Sequence, residues 1–133
     1  MAAKEIYAQI GESQDYSLLA KLGTERAIGL AVKPGSGLLE RGTIVMLGAD
    51  GLYTPAETGK LTGALAVLAQ DVETGSANSG IAPSARAYSA GCFITGKMKL
   101  KEGTLTASDL LELRRQGLTA ENMSGELNNN VGG

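Results

Sequence analysis

The sequence predicts a mainly β domain with one or two short helices. Two observations support this fold class: the apolar runs are short and rich in small or β-branched residues, and glycine, which punctuates them, occurs 19 times in 133 residues. Aromatic residues are scarce, with four Tyr, one Phe and no Trp, so the core must be built from aliphatic side chains. The length is typical of a single domain.

Three local patterns organise the N-terminal part of the chain. Residues 5–11 alternate weakly and predict a short strand. The stretch SQDYSLLAKLG, residues 13–23, predicts a short helix, because its leucines fall near one helical face and Gly23 can end it. A strand is then expected to end at Lys33, since Pro34 and Gly35 follow.

The middle of the chain predicts a β-hairpin followed by a buried strand. GTIVML, residues 42–47, is apolar and β-branched, GADG is a turn, and LYTPA, residues 52–56, is the returning strand. ALAVLAQDV, residues 64–72, fits a helix or a strand by periodicity, and its short length among turns favours a buried strand. The Gly- and Ser-rich residues that follow it predict a loop.

Residues 86–103 are expected to form two strands. Within them Lys97, Lys99 and Lys101 alternate with Met98 and Leu100, which places the lysines on one face. Such a stripe could bind an anion, but a solvated face or a protected sheet edge explains it better.

The clearest helix of the sequence is expected at about 106–116. Thr106 can cap it with Asp109 three residues later, and Gly117 can end it. Its apolar face is predicted to consist of Leu110, Leu111 and Leu113.

The composition argues against several classes of function. A net charge of −2 with dispersed lysines and arginines does not suggest a nucleic-acid partner. Without histidine, and with Cys92 alone, the chain has neither the commonest general base nor an ordinary zinc site. The acid pairs Asp71/Glu73 and Asp109/Glu112 are explained by solubility and helix capping. We therefore expect a non-enzyme without cofactor, metal or catalytic residue. No segment suggests a secretion signal or a membrane span, and Cys92 is expected to be buried.

Five pieces of the chain follow one another in an order that resembles a known family. They are LLERGTIVML, DGLYTPA, GALAVLAQDVET, GCFITGKMKL and LLELRRQGL, within residues 27–118. The order is similar to that of the lambda-type head decoration proteins, the capsid cement proteins of tailed bacteriophages. The matching positions are Arg41, Gly42, Gly51, Tyr53, Pro55, Ala66, Leu68, Ala69, Asp71, Val72, Gly91, Leu113, Gly117 and Leu118. Ala66 stands where the family often has glycine.

The resemblance implies a structural virion protein. It would be made in the host cytoplasm and bind the outer surface of the expanded capsid as a homotrimer, with itself and the major capsid protein as partners. It would stabilise the shell against the pressure of packaged DNA, and neither nucleic acid nor membrane would be a partner.

The resemblance also suggests three regions: an N-terminal arm at 1–26, a β-rich domain at 27–118 and a flexible tail at 119–133. Strand addition to the shell would use the arm's apolar side chains, namely Ile6, Tyr7, Ile10 and Tyr16. The alternative for this segment is an N-terminal strand that packs on its own domain.

Two other functions stay open at this point. The chain could be the base of a head fibre or an adhesive surface protein, although its short Asn-rich ending does not suggest a long fibre. More remotely, the glycine-rich turns could belong to a small-ligand-binding β module or a hydrolase.

Overall fold

A computed structural model describes residues 18–76 and 80–121. In these ranges the chain forms eight strands, one 3-10 turn at Thr95–Lys97 and one α-helix. The strands are β1 (Leu19–Ala31), β2 (Leu38–Leu39), β3 (Ile44–Leu47), β4 (Tyr53–Pro55), β5 (Leu65–Leu68), β6 (Val72–Glu73), β7 (Ser84–Ile94) and β8 (Leu118–Glu121), and the helix is α1 (Ala107–Arg115). The predicted mainly β class is confirmed.

The main sheet is organised around its long strand β7. Its strand order is β1-β7-β5-β3-β4, all antiparallel, and β8 joins β7 in parallel. The first half of β7 lies between β1 and β5, whereas its last four residues lie between β1 and β8. A bridge between Val32 and Tyr53 brings the β4 edge to the end of β1. Strands β2 and β6 form a separate two-stranded ribbon.

The predicted hairpin and buried strand are both confirmed. Strands β3 and β4 pair across the GADG turn, with Val45 opposite Pro55 and Leu47 opposite Tyr53. All four residues of β5 are buried, so this strand has no solvent-facing side. A strand covered on both faces is expected to be continuously apolar, which explains why LAVL shows no alternation.

The predicted helix around residues 13–23 is wrong where the structure describes it. Residues 19–31 form strand β1, which pairs with β7 from Leu19 to Ala31 and crosses residue 26, the predicted end of the arm. A helix this short is marginal in water, whereas the eleven residues of β7 offer a long row of backbone partners. The adjacent residues Leu18 and Leu19 are both buried. Two neighbouring buried leucines occur in short helices and in short strands, so they do not distinguish the two.

Strand β1 carries an irregularity that brings its backbone close to β7. The register slips between Lys21 and Arg26, and the Thr24 hydroxyl there accepts a hydrogen bond from the Cys92 N–H at 3.2 Å. A Cβ on Gly91, whose φ is 148°, would lie 3.2 Å from the Cα of Glu25. Glycine at this position therefore permits the close approach of the two strands.

The second strand expected in residues 86–103 is not formed as a regular strand. The 3-10 turn follows β7 directly, and residues 98–101 then run extended, with one bridge between Lys99 and Thr43. The alternation survives: Met98 is buried and Leu100 is partly buried, while the three lysines are exposed.

Helix α1 is confirmed with its predicted caps. Thr106 and Asp109 form a capping box, and Gly117 follows the helix with φ at 87°. Leu113 is fully buried, but Leu111 is 51% exposed, so its assignment to the apolar face was wrong. Leu111 lies only two residues, about 200°, from Leu113, which places the two on opposite sides of the helix. Residues 119–121 of the predicted tail belong to β8, and residues 122–133 lie outside the described part.

The sheet separates two apolar cores. The helix-side core lies under residues 95–118 and consists of Leu18, Leu19, Ile44, Ala56, Leu61, Leu65, Val67, Tyr88, Phe93, Met98, Leu113 and Leu118. The ribbon-side core lies next to β2 and β6 and consists of Leu30, Val32, Leu39, Val45, Ala66, Leu68, Val72, Ala85 and Ala87. Alternate residues of β3, β5 and β7 point into each of them.

Candidate functional site

Two pieces of the family-like motif, about thirty residues apart in sequence, meet in the fold. The backbone N–H of Arg41 donates to Oδ1 of Asp71 at 2.8 Å, and the N–H of Gly42 donates to the carbonyl of Leu68 at 2.8 Å. We call these four residues the motif junction. The Asp71 carboxylate thus accepts the Arg41 N–H, as the carbonyl of a neighbouring strand would, just before the chain enters β3.

Gly42 fits the motif junction because no side chain has room there. Its φ is 97°, and a Cβ on it would overlap the carbonyl oxygen of Lys97. Its own carbonyl accepts the N–H of Lys99 at 2.9 Å. The Arg-Gly pair therefore lets residues 97–99 run directly beside the start of β3.

The other motif residues lie away from the motif junction. Gly51, with φ at 85°, closes the turn of the β3–β4 hairpin, and Tyr53 and Pro55 belong to its returning strand. The backbone carbonyl of Tyr53 accepts the N–H of Lys33 at 2.9 Å, which ties the hairpin to the end of β1. Gly117 lies between α1 and β8, and its carbonyl accepts the N–H of Gly91. In the described structure these residues form turns and strand contacts of the fold.

An open surface cavity of about 250 Å³ lies beside the motif junction. Its rim combines both signs of charge, and Lys99 Nζ forms an ion pair with Glu40 Oε1 at 2.8 Å. The cavity is lined by Leu18, Glu40, Arg41, Asp71, Lys97 and Lys99. Leu18, which belongs to the predicted arm of residues 1–26, is the first residue that the structure describes, and it lies next to the motif junction.

The predicted lysine stripe is a charged, solvated surface. Besides the pair between Lys99 and Glu40, Lys101 Nζ lies 3.8 Å from Glu57 Oε2. Both pairs are substantially exposed, and such pairs contribute little to stability. Partnered lysines of this kind favour the interpretation of edge protection over that of an anion site.

The acid residues singled out in the sequence have structural contacts. Asp71 is used in the motif junction, and Glu73 Oε2 accepts the N–H of Gly75 at 3.0 Å. Asp109 is only 2% exposed: one carboxylate oxygen accepts from Gly59 N–H and the other from Thr106 N–H, both at 3.0 Å. Glu112 forms an ion pair with Arg115 on the helix surface.

The described residues contain neither a cluster of metal ligands nor a membrane-spanning helix. Within residues 18–76 and 80–121, no three His, Cys, Asp or Glu side chains cluster as metal ligands would. Cys92 is buried, as predicted. In the same ranges, no helix combines the length and the apolar character needed to cross a bilayer.

The predicted arm residues Ile6, Tyr7, Ile10 and Tyr16 lie outside the described residues. Their role in binding a capsid stays a prediction.

Two polar anchors were not predicted from the sequence. Thr74 is 2% exposed, and its hydroxyl accepts from Ser36 N–H and donates to the Gly37 carbonyl, so it holds the KPGSG loop. The Gln116 side chain accepts from Leu65 N–H at 2.8 Å and donates to the Gly63 carbonyl at 2.7 Å. For both Thr74 and Gln116, the only signal in the sequence is a polar residue next to a glycine. That signal does not identify the distant backbone groups that the side chain binds.

No protein-family model fits the chain, and no curated protein is similar enough to count as a relative.

Proposed function

We propose that this protein is a capsid decoration protein of a tailed bacteriophage. It binds the outer surface of the expanded head as a homotrimer, contacts the major capsid protein and stabilises the shell against internal DNA pressure. The ordered motif of the sequence motivates this proposal. The observation that carries it furthest is the motif junction, where the Arg-Gly piece and the Leu-Ala-x-Asp piece are joined by two 2.8 Å hydrogen bonds.

The motif junction supports the proposal because it brings two pieces of the motif into direct contact. Two short apolar pieces could resemble a family by chance, but these two share one backbone connection that depends on both Gly42 and Asp71. Leu18, the described residue nearest to Ile6, Tyr7, Ile10 and Tyr16 in sequence, lies beside the same junction. A passive clamp needs a rigid body from which an arm extends. Apolar surface that the arm buries on the shell would contribute roughly 25 cal/mol per Å² to the binding free energy, before the costs of association.

The proposal is tested by the heat stability of expanded heads of the phage that encodes the chain. Saturating protein should raise the temperature at which the heads release DNA or disassemble. The double variant Ile6→Asp/Ile10→Asp should lose this protection, because two charges would have to be buried at the shell contact. Thr62→Asp, at an exposed loop residue, is the matched control and should protect like the unmodified protein. Heads that melt at the same temperature with and without protein would refute the proposal.

A further inference from the structure

An apolar groove of about 300 Å³ runs between helix α1 and strand β8. It is lined by Ala107, Leu110, Leu111, Arg114, Thr119 and Ala120. Successive residues of a strand point to opposite faces, so a groove lined by both Thr119 and Ala120 follows the edge of β8. Within the described residues, β8 pairs with β7 on one side only. The groove thus combines an open strand edge with the half-exposed side chain of Leu111.

One charged side chain lines this groove. Arg115, next along the helix, forms an ion pair with Glu112 at 3.5 Å. Arg114 forms none with any residue in the described part of the chain, and it lines the groove. An extended segment with apolar side chains and a nearby carboxylate complements such a surface.

The chain's own N-terminal segment has this chemistry, and a short linker joins it to Leu18. Residues 5–12, EIYAQIGE, carry two isoleucines and a tyrosine between two glutamates. The carbonyl of Leu18 accepts the N–H of Ile94 at 2.8 Å, and Ile94 pairs with Glu121 of β8 on its other side. Leu18 therefore lies about two strand spacings, roughly 10 Å, from β8. The five residues 13–17, which link this segment to Leu18, can span about 17 Å when extended, which is enough to reach the open edge of β8.

We infer that residues 5–12 bind the groove between α1 and β8 of their own chain in the free protein. The segment adds to the open edge of β8, its apolar side chains cover Leu111, and a glutamate pairs with Arg114. This inference deepens the proposed function. Binding of the segment in the free protein does not depend on that function, whereas its later release to the shell does. In the free protein the groove keeps the arm's apolar residues away from solvent and from other copies.

Hydrogen exchange on the full-length free protein tests the inference without any capsid. The amides of residues 5–12 should exchange about tenfold more slowly in the unmodified protein than in Leu111→Asp, where a carboxylate replaces the apolar contact. Leu38→Asp is the matched control, because Leu38 is 56% exposed and lies in β2. It should leave the exchange unchanged, and β5 amides should be equally protected in all three proteins. Equal exchange of residues 5–12 in all three would overturn the inference.

A disulfide trap decides which copy supplies the segment. The variant Tyr7→Cys/Leu111→Cys should oxidise to a product of single-chain mass with an internal cross-link, whereas Tyr7→Cys/Leu38→Cys should not. Covalent dimers or trimers in place of the internal cross-link would show that a second copy fills the groove and would overturn the inference. Because neither measurement uses heads, a failure here is distinguishable from a failure of the proposed function.

Discussion

The two cores on either side of the sheet are built from different side chains. The helix-side core contains the large residues Phe93 and Tyr88, whose ring centroids lie 5.9 Å apart, together with several leucines. The ribbon-side core contains Ala66, Ala85 and Ala87 among valines and leucines. Strand β5 supplies both, since Leu65 and Val67 enter the first core and Ala66 and Leu68 enter the second.

The difference shows what the small residues in the most apolar stretch do. The alanines on the ribbon side allow the sheet and the residues that cover it to pack closely. A larger side chain there would need volume that a tightly packed interior lacks. On the helix side, longer side chains bridge the space to residues 95–118. The two cores should therefore respond in opposite ways: the helix side to cavities and the ribbon side to added volume.

The largest expected effect is a cavity in the helix-side core. Phe93→Ala removes a fully buried ring and should lower the free energy of unfolding by about 3–5 kcal/mol. Urea unfolding followed by circular dichroism measures it. Leu111→Ala, at a half-exposed residue of α1, should cost less than about 1 kcal/mol. Similar losses for both variants would contradict the assignment of the core.

The next effect concerns the buried carboxylate that anchors α1. Asp109→Ala leaves the N–H groups of Gly59 and Thr106 without their acceptor and should cost about 3 kcal/mol. The same urea titration applies. Glu112→Ala, which removes only an exposed ion pair, should be nearly neutral. If Asp109→Ala were as mild as Glu112→Ala, the capping contacts would not matter to the fold.

Added volume on the ribbon side should have a moderate effect. Ala66→Leu places three extra carbons into a fully buried position and should destabilise the protein by about 1–3 kcal/mol. Ala107→Leu, at the exposed start of α1, should be tolerated. Thermal unfolding of both variants compares them. A neutral or stabilising Ala66→Leu would mean that the ribbon side has spare room, and the contrast between the cores would fail.

The smallest effect is expected at the exposed turn of the β3–β4 hairpin. The Leu52 N–H, and then Lys33 at 3.3 Å, hold the pKa of Asp50 below its ordinary value of 3.8. A lowered folded-state pKa contributes stability above the ordinary value that is lost as the pH falls through the folded-state pKa. Asp50→Asn should therefore reduce the drop in melting temperature below about pH 4, slightly, because the group is exposed. An unchanged pH profile would show that these contacts have no energetic effect.

The sequence predicts the elements whose signals are local. The β3–β4 hairpin follows from its turn residues, and α1 follows from the Thr106 cap and Gly117. Strand β5 follows from a continuous apolar run. In the fold, this strand is buried on both faces and pairs with β3 and β7.

Elements that depend on distant partners were not predictable. The second half of β1 agrees with the strand predicted to end at Lys33, but its leucine-rich start suits a helix locally and forms a strand by pairing with β7. β8 has four residues and no periodicity, and it forms because the turn at Gly117 directs it along β7. At the motif junction, the sequence marks Asp71 and Arg41 as separate motif positions, but only the fold joins them.

The binding stoichiometry on expanded heads tests the central claim most directly. Labelled protein is titrated onto purified expanded and unexpanded heads, which are pelleted, and the bound copies per major capsid subunit are counted. The account predicts saturation on expanded heads at three copies per three-fold position and little binding to unexpanded heads. Protein that stays in the supernatant with both, or that pellets equally with both without saturating, would contradict it.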